Sequence, residues 1–270
     1  MLREDQQMSG RTAYFAVFSL LLSVTLMCCA KKQEMSETQL PSPGVNAKPI
    51  DTTTAGSISG TVHLDGAAPK LKSLNMAAEP ACAKQHSTPA MTQEALVGKD
   101  GALENVVVYL KGDFGQYKFA PPPTPVTITQ KGCMYEPHVL ALETRQSLQV
   151  VNDDPVTHNI HPLPMDNREW NESQPPGAAP IDQEFAHEEV AIPVKCNIHP
   201  WMKAYIAVFN HPYFQVTGTD GSFNLKNVPP GTYTLVAWHE LYGTQQQSVS
   251  IGPKEEKTIP ITFQAAGGTH

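Results

Sequence analysis

The stretch Cys196-Asn197-Ile198-His199-Pro200-Trp201-Met202 sets a thiol, an imidazole and a thioether on one short turn, with two residues in each gap. Upstream stands Thr157-His158-Asn159-Ile160-His161, in which His158 precedes Cys196 by thirty-eight residues. A thiolate and two imidazoles in one plane, with a weak axial thioether, form the ligand set of a mononuclear electron-transfer copper site. The two-residue gaps let Cys196, His199 and Met202 face one centre, while His158, arriving on a distant strand, pins the turn to the rest of the fold. The candidate metal ligands are therefore His158, Cys196, His199 and Met202, and the metal is copper. A single buried Cys is ordinarily a small hydrophobe; the combination of residue types at these spacings is what points to chemistry. His161 is an alternative to His158, because residues three apart on an extended strand face opposite sides. Pro162 and Pro164 would turn the chain there; His158 is the preferred ligand.

These residues need strands to hold them. Runs rich in Val, Ile, Thr and Tyr, such as 105–110, 148–152 and 232–238, are punctuated by Pro and Gly, and helix signals are sparse. Short strands between frequent turn signals read as an all-β sandwich assembly. Residues 56–66 alternate apolar and polar and form an opening strand. Two strands flank Pro229-Pro230-Gly231, with Asp220-Gly221 as the entry turn. Residues 135–143 and 147–152 alternate again and lead into the first histidine segment. The polar stretch 166–177 reads as a long loop near the same end, the kind that carries partner specificity.

The chain has 270 residues, a net charge of −7 and an isoelectric point near 5.8, which excludes the basic footprint of a nucleic-acid binder. Residues 1–30 read as a targeting segment: Arg11 precedes an apolar run from 13 to 30 that ends in Cys28-Cys29-Ala30. A lipidated cysteine, an uncleaved anchor and a cleaved signal all stay open, and all export the protein to the periplasm or cell surface. Residues 31–55 then read as a flexible tether, polar and poor in large apolar residues. Export permits disulfides. With Cys196 assigned to metal, Cys82 and Cys133 are left to pair with each other; a second metal site using His86 and His138, or free thiols, are the alternatives.

Two resemblances sharpen these expectations. Gly56-x-Ile58-x-Gly60-x-Val62, together with Asp220-Gly221-x-Phe223-x-Leu225 and Pro230-Gly231-x-Tyr233-x-Leu235-x-Ala237, resembles the carboxypeptidase regulatory-like family of small transthyretin-like sandwiches. The stretch 125–209 resembles the cupredoxin family: a strand ending in Asn152, the His158-Asn159 pair, and a short amicyanin-like loop over 196–202. Asn197-Ile198 replaces the usual Ser/Thr-Pro of that loop. The resemblances imply a cupredoxin Greek-key sandwich inserted into a regulatory-like sandwich made of residues 56–118 and 214–263; two sandwiches in tandem are the other topology.

The expected function is one-electron transfer by an exported, membrane-tethered copper protein with a redox protein as donor or acceptor. The alternative is a cell-surface sandwich that binds carbohydrate or protein, or a copper store or chaperone. No nucleophile-elbow serine, zinc-binding H-E-x-x-H or phosphate-cradling glycine loop is present, so the chain is not expected to be an enzyme. The ten histidines lack the spacing of a further open copper site. Trp201, between two ligands, would pack over the site or form an apolar docking patch; Met165, His138, His187 and His211 read as packing or surface residues.

Overall fold

The computed structural model of the protein describes residues 47–265, so the expected leader and most of the expected tether lie outside the described residues. The chain begins with β1 (Gly56–Asp65) and, after a long excursion, β2 (Val107–Lys111). Next come β3 (Val126–Lys131), β4 (Met134–Glu136), β5 (Val139–Glu143), β6 (Leu148–Asn152) and β7 (His158–Pro162). They are followed by β8 (Glu172–Gln174), β9 (Ile181–Gln183), β10 (Glu189–Lys195) and β11 (Lys203–Phe209). The chain closes with β12 (Phe214–Val216), β13 (Ser222–Val228), β14 (Gly231–His239), β15 (Gly243–Ile251), β16 (Glu256–Thr258) and β17 (Ile261–Gln264). The all-β expectation holds: the helix α1 (Pro80–Ala83) and one short 3₁₀ turn are the helical pieces among the described residues.

The first two strands pair with the last six, and β3–β11 pair among themselves. In the outer sandwich β1 lies between antiparallel β13 and parallel β16 and β17, facing a sheet ordered β12-β2-β14-β15. The alternation along β1 sends Ile58, Val62 and Leu64 into a core with Phe223, Leu225, Leu235 and Phe263. Gly60 has a steric reason: a Cβ there would stand 1.9 Å from the Ile259 carbonyl oxygen and 2.7 Å from the Phe223 ring. The Pro229-Pro230 turn is closed by Tyr233, whose hydroxyl donates to the Pro229 carbonyl at 2.9 Å.

The inserted sandwich has one sheet ordered β5-β11-β10-β7-β8 and another ordered β4-β3-β6-β9. Ile128, Leu142, Leu148, Val150, Ile160, Ile192 and Ile206 fill the space between them. A third apolar layer joins the two sandwiches. Val107, Val139, Ala207 and Phe209 are buried there, with the Tyr109 and Phe209 rings 4.8 Å apart and Tyr205 5.2 Å from Trp238. Strands β5 and β11 are thus covered on both faces, which explains why they read as nearly continuous apolar runs.

Two expected boundaries need correction. Residues 47–55 are held, not free: Lys48 bridges Tyr117, and the Asp51 carboxylate accepts the Thr53 N–H at 2.9 Å. The excursion between β1 and β2 was assigned to the outer sandwich with the rest of 56–118. Its part around 72–92 forms a ladder (Leu74 N–H to Ala90 oxygen, 2.8 Å; Thr92 N–H to Lys72 oxygen, 2.8 Å) and lies on the inserted sandwich. Met76 and Cys82 are buried in that sandwich's core. Their neighbours in sequence are mostly small, with Ala77, Ala78, Ala81 and Ala83 around them, so no apolar alternation marked where this segment docks.

Candidate metal centre

Strand β6 ends in Asn152, whose side chain shapes the loop to the next strand. Its Nδ2 donates to the carbonyls of Val156 and Gln174 at 2.9 and 2.8 Å, and its Oδ1 accepts the Asp154 N–H at 3.0 Å. The loop delivers β7, every residue of which is buried, beginning with His158 at 0% exposure. Across the sheet β10 pairs with both β7 and β11, with Lys195 opposite His161 on one side and Lys203 on the other. The turn between β10 and β11 is therefore held open next to the start of β7.

That turn is cross-tied. Met202 N–H donates to the His199 carbonyl at 2.9 Å, Cys196 N–H to the Met202 carbonyl at 3.3 Å, and His199 N–H to Cys196 Sγ at 3.4 Å. Asn197 N–H donates to Asn159 Oδ1 at 3.0 Å, which locks the turn to β7. The outcome is convergence: His158 Nδ1 and His199 Nδ1 are 3.0 Å apart, and Cys196 Sγ is 3.8 Å from His199 Nδ1. One donor atom from each of His158, Cys196 and His199 falls within a 4.8 Å cluster, and all three residues are buried. Met202, 1% exposed, closes the turn and belongs to the same core.

His161 points elsewhere, as an extended strand requires. Its Nε2 meets Glu169 Oε1 at 2.6 Å and its Nδ1 faces Asn197 Oδ1 at 3.3 Å, outside the cluster. His138, read as packing or surface, is buried against Glu240, with Nδ1 3.1 Å from the Lys203 carbonyl. Met165 is 92% exposed. Trp201 packs 5.2 Å from the His199 ring and donates Nε1–H to the Cys133 carbonyl at 3.0 Å.

Two supports went unread in the sequence. The first is Asp154, four residues before His158. Its carboxylate accepts the N–H groups of Gly132 and Cys133 at 2.7 Å each and sits 2.7 Å from His158 Nε2. Those N–H groups point inward because the two-residue turn between β3 and β4 has positive φ at both positions, 61° at Gly132 and 55° at Cys133. A carboxylate facing Nε2 favours a proton on that nitrogen, and in the neutral ring this leaves the Nδ1 lone pair on the cluster side. The Asp-Asp-Pro loop after Asn152 was the available signal. The second support is the disulfide between Cys82 and Cys133, whose Cα atoms are 5.5 Å apart. The leftover-cysteine arithmetic gave the right pairing but not its position: Cys82 Sγ lies 3.8 Å from His199 Nε2. Closing a loop of 51 residues contributes about 4 kcal/mol in a chain-entropy account.

Electrostatics follow the geometry. Burial pushes the Cys196 thiol up, but hydrogen bonds with His158 and the N–H groups of His199, Ile198 and Asn159 outweigh it and leave the thiol below its ordinary value. Burial disfavours charge on His158, yet Asp154 and Cys196 together raise its pKa. Asp154 is likewise penalised by burial and rescued by His158 and the two backbone donors, ending below the usual carboxylate range. His199 is lowered by burial and by the neighbouring His158 charge. The balance of these contacts shifts Cys196 in the direction of its thiolate. A thiolate and two imidazole nitrogens converging in a buried pocket fit a soft, mononuclear cation such as copper.

No curated protein sequence matches the chain significantly. Residues 205–259 match the family described as Polysaccharide lyase family 4, domain II, whereas a carboxypeptidase regulatory-like domain was expected over these strands. Among solved structures, the chain is similar to a Cu-containing nitrite reductase from Thermus scotoductus SA-01 at 21% identity and a TM-score of 0.30. That likeness covers 33% of this chain and 23% of that one, so the chain spans less than a quarter of the reductase's length. A purple cupredoxin from Nitrosopumilus maritimus is 22% identical over 30% of this chain and 97% of its own, with a TM-score of 0.26. An oxidised amicyanin variant is 14% identical over 31% of this chain and 81% of its own, with a TM-score of 0.28.

Proposed function

We propose that the protein is an exported copper protein that carries single electrons through a mononuclear type 1-like centre held by His158, Cys196, His199 and Met202. The observation that supports this most is the convergence of His158 Nδ1, His199 Nδ1 and Cys196 Sγ in one buried cluster. Copper, when bound, supplies a one-electron couple. The residues supply a setting in which that couple needs little rearrangement. Cys196 and His199 are fixed by the cross-tied turn, His158 by the rigid strand β7 and by Asp154, and burial excludes water as a further ligand. Met202 is the weak axial donor in this reading, and the apolar residues around Cys196 tune the potential.

The buried Cys82–Cys133 disulfide supports export, since such bonds persist in oxidising compartments. Residues 1–30 would direct that export and tether the protein to a membrane, and a redox protein would be its partner. In this reading it is a carrier with no substrate chemistry. The test is the visible absorption spectrum of purified protein after stoichiometric Cu(II) is added, with Cys196 reduced and the disulfide intact. An intense thiolate-to-copper band is expected. Its absence would leave the alternative, an accessory sandwich that binds carbohydrate or protein.

A further inference from the structure

The two edges of the His199 ring face different surroundings. Nδ1 looks inward to His158 and Cys196. Nε2 looks outward, and in place of solvent it meets Cys82 Sγ at 3.8 Å, so that His199 keeps only 1% of its surface. The covering piece is the segment 76–86, with Cys82 on α1, and several attachments fix it. Cys82 is bonded to Cys133 on the β3–β4 turn. Met76 is buried in the core of the inserted sandwich. His86 Nε2 contacts the Gly132 carbonyl at 2.7 Å, and Gln85 Nε2 reaches Cys133 Sγ at 3.7 Å. Trp201, bonded to the Cys133 carbonyl, closes the adjacent flank. The outer side of the segment is exposed at Ala77, Ala78, Pro80, Ala81 and Ala83.

We propose that the disulfide-tethered segment 76–86 is a fixed cover that closes the His199 edge of the metal centre to solvent and to small diffusing redox reagents. The redox consequence rests on the copper reading; the closure itself is a property of the metal-free protein. An electron crossing this edge passes through the cover, and the disulfide is neither reduced nor oxidised, so no bond changes. A reagent too small to be recognised as a partner is kept at least one layer of protein away from the imidazole.

Carbethoxylation of the metal-free protein by diethyl pyrocarbonate, mapped by peptide mass spectrometry, tests the closure directly. His187, which is exposed, should react, and His199 should resist. Equal reaction at both positions in the wild type overturns the proposal. In the Cys82→Ala/Cys133→Ala double variant His199 should become reactive. After copper loading, with the thiolate band retained, that variant should be reduced several-fold faster by a small inorganic complex. A His199 still protected, or an unchanged rate, would count against the cover. Should the double variant not fold, the wild-type protection pattern decides alone. Absence of the visible band in wild type would sink the copper reading and leave the carbethoxylation result standing.

Discussion

His158 and His199 in the inserted sandwich are buried as deeply as His211 and His239 at the outer one: 0%, 1%, 2% and 1% exposed. They differ in what Nδ1 does. In His211 it accepts the N–H of Tyr213 at 3.1 Å, and in His239 the N–H of Leu241 at 3.2 Å, each two residues further on. Those rings are turn-formers with satisfied acceptors, and burial, before any neighbour, pushes each down to about 4. Among the described residues the Nδ1 atoms of His158 and His199 accept no backbone N–H, and they face each other. A buried imidazole whose Nδ1 is used up locally is structural. One whose Nδ1 faces a second imidazole and a thiol sulfur has its donor atom free for the metal role proposed above.

Substitution at these four histidines and at Cys196 breaks or sustains that contrast most sharply. Cys196→Ser should abolish the visible band after copper addition, because the turn holds no other thiol. His158→Ala or His199→Ala should open a coordination position to water and change the spectrum. His211→Gln and His239→Gln should leave the band of the wild type. Absorption spectra of the five variants decide it, and a lost band in either outer-sandwich variant would erase the distinction.

How much of this was legible in the sequence divides along the same line. The turn carrying Cys196, His199 and Met202 was readable because the three are close in sequence, and their spacing alone restricts where they point. The strands around Gly60 and the Asp220 turn were readable because alternation and turn chemistry are local, while the insertion came only as what the two resemblances imply. Strand period separated His158 from His161, and the His158-Asn159 resemblance favoured His158; in the fold the two rings face different partners. Asp154 and Cys82 were not legible in their roles. Each acts through a contact fixed by tertiary placement: Asp154 through two N–H groups on a turn twenty-odd residues upstream, Cys82 through a disulfide and a segment that crosses to the other sandwich. The family match over 205–259 is not the regulatory-like one that the Asp220 and Tyr233 motifs implied.

The acid response should separate the two regions next. His211 and His239 are held neutral, with pKa values near 4 against 6.5 ordinarily. Between those limits the unfolded chain binds more protons, so stability rises with pH across the window and is lost as pH falls from 6.5 toward 4. The loss amounts to up to about 3 kcal/mol for each group. Glu143, pushed up by burial to about 7, works in the opposite direction: its contribution is full below 4.5 and is lost as pH rises toward 7 and beyond. Urea unfolding of metal-free protein at pH 4.5 and 7 should show a pH difference that shrinks in His239→Phe. An unchanged difference would show that this ring is not held neutral.

Asp154 supplies to His158 from a side chain what the backbone supplies to His211, a fixed orientation of the ring. Asp154→Ala removes the acceptor of Nε2–H and leaves the Gly132 and Cys133 N–H groups without their partner. Copper affinity should fall roughly 10- to 100-fold, the usual consequence of deleting a carboxylate behind a ligating histidine. Competition with a Cu(I) chelator measures it. Asp154→Asn, which keeps a carbonyl oxygen for the bond, should fall between the two. Equal affinity in all three proteins would mean that the strand alone orients the ring.

The smallest effect belongs to Met202, and it tests whether the fourth position is a ligand or only core. Met202 is 1% exposed and packs with Ile206 and Val208 in the inserted sandwich, so its burial alone would satisfy a packing role. Leucine conserves the volume and costs less than about 1.5 kcal/mol in such a place. If Met202 is packing, Met202→Leu should change neither spectrum nor potential. If its sulfur is the weak axial donor, the thiolate band should persist, because thiolate and imidazoles set it. The potential should rise, because losing an axial donor destabilises the oxidised ion more than the reduced one. Voltammetry of the copper-loaded pair of proteins reads the shift. A fall in potential, or a band lost with Met202 alone, would move this residue out of the axial role.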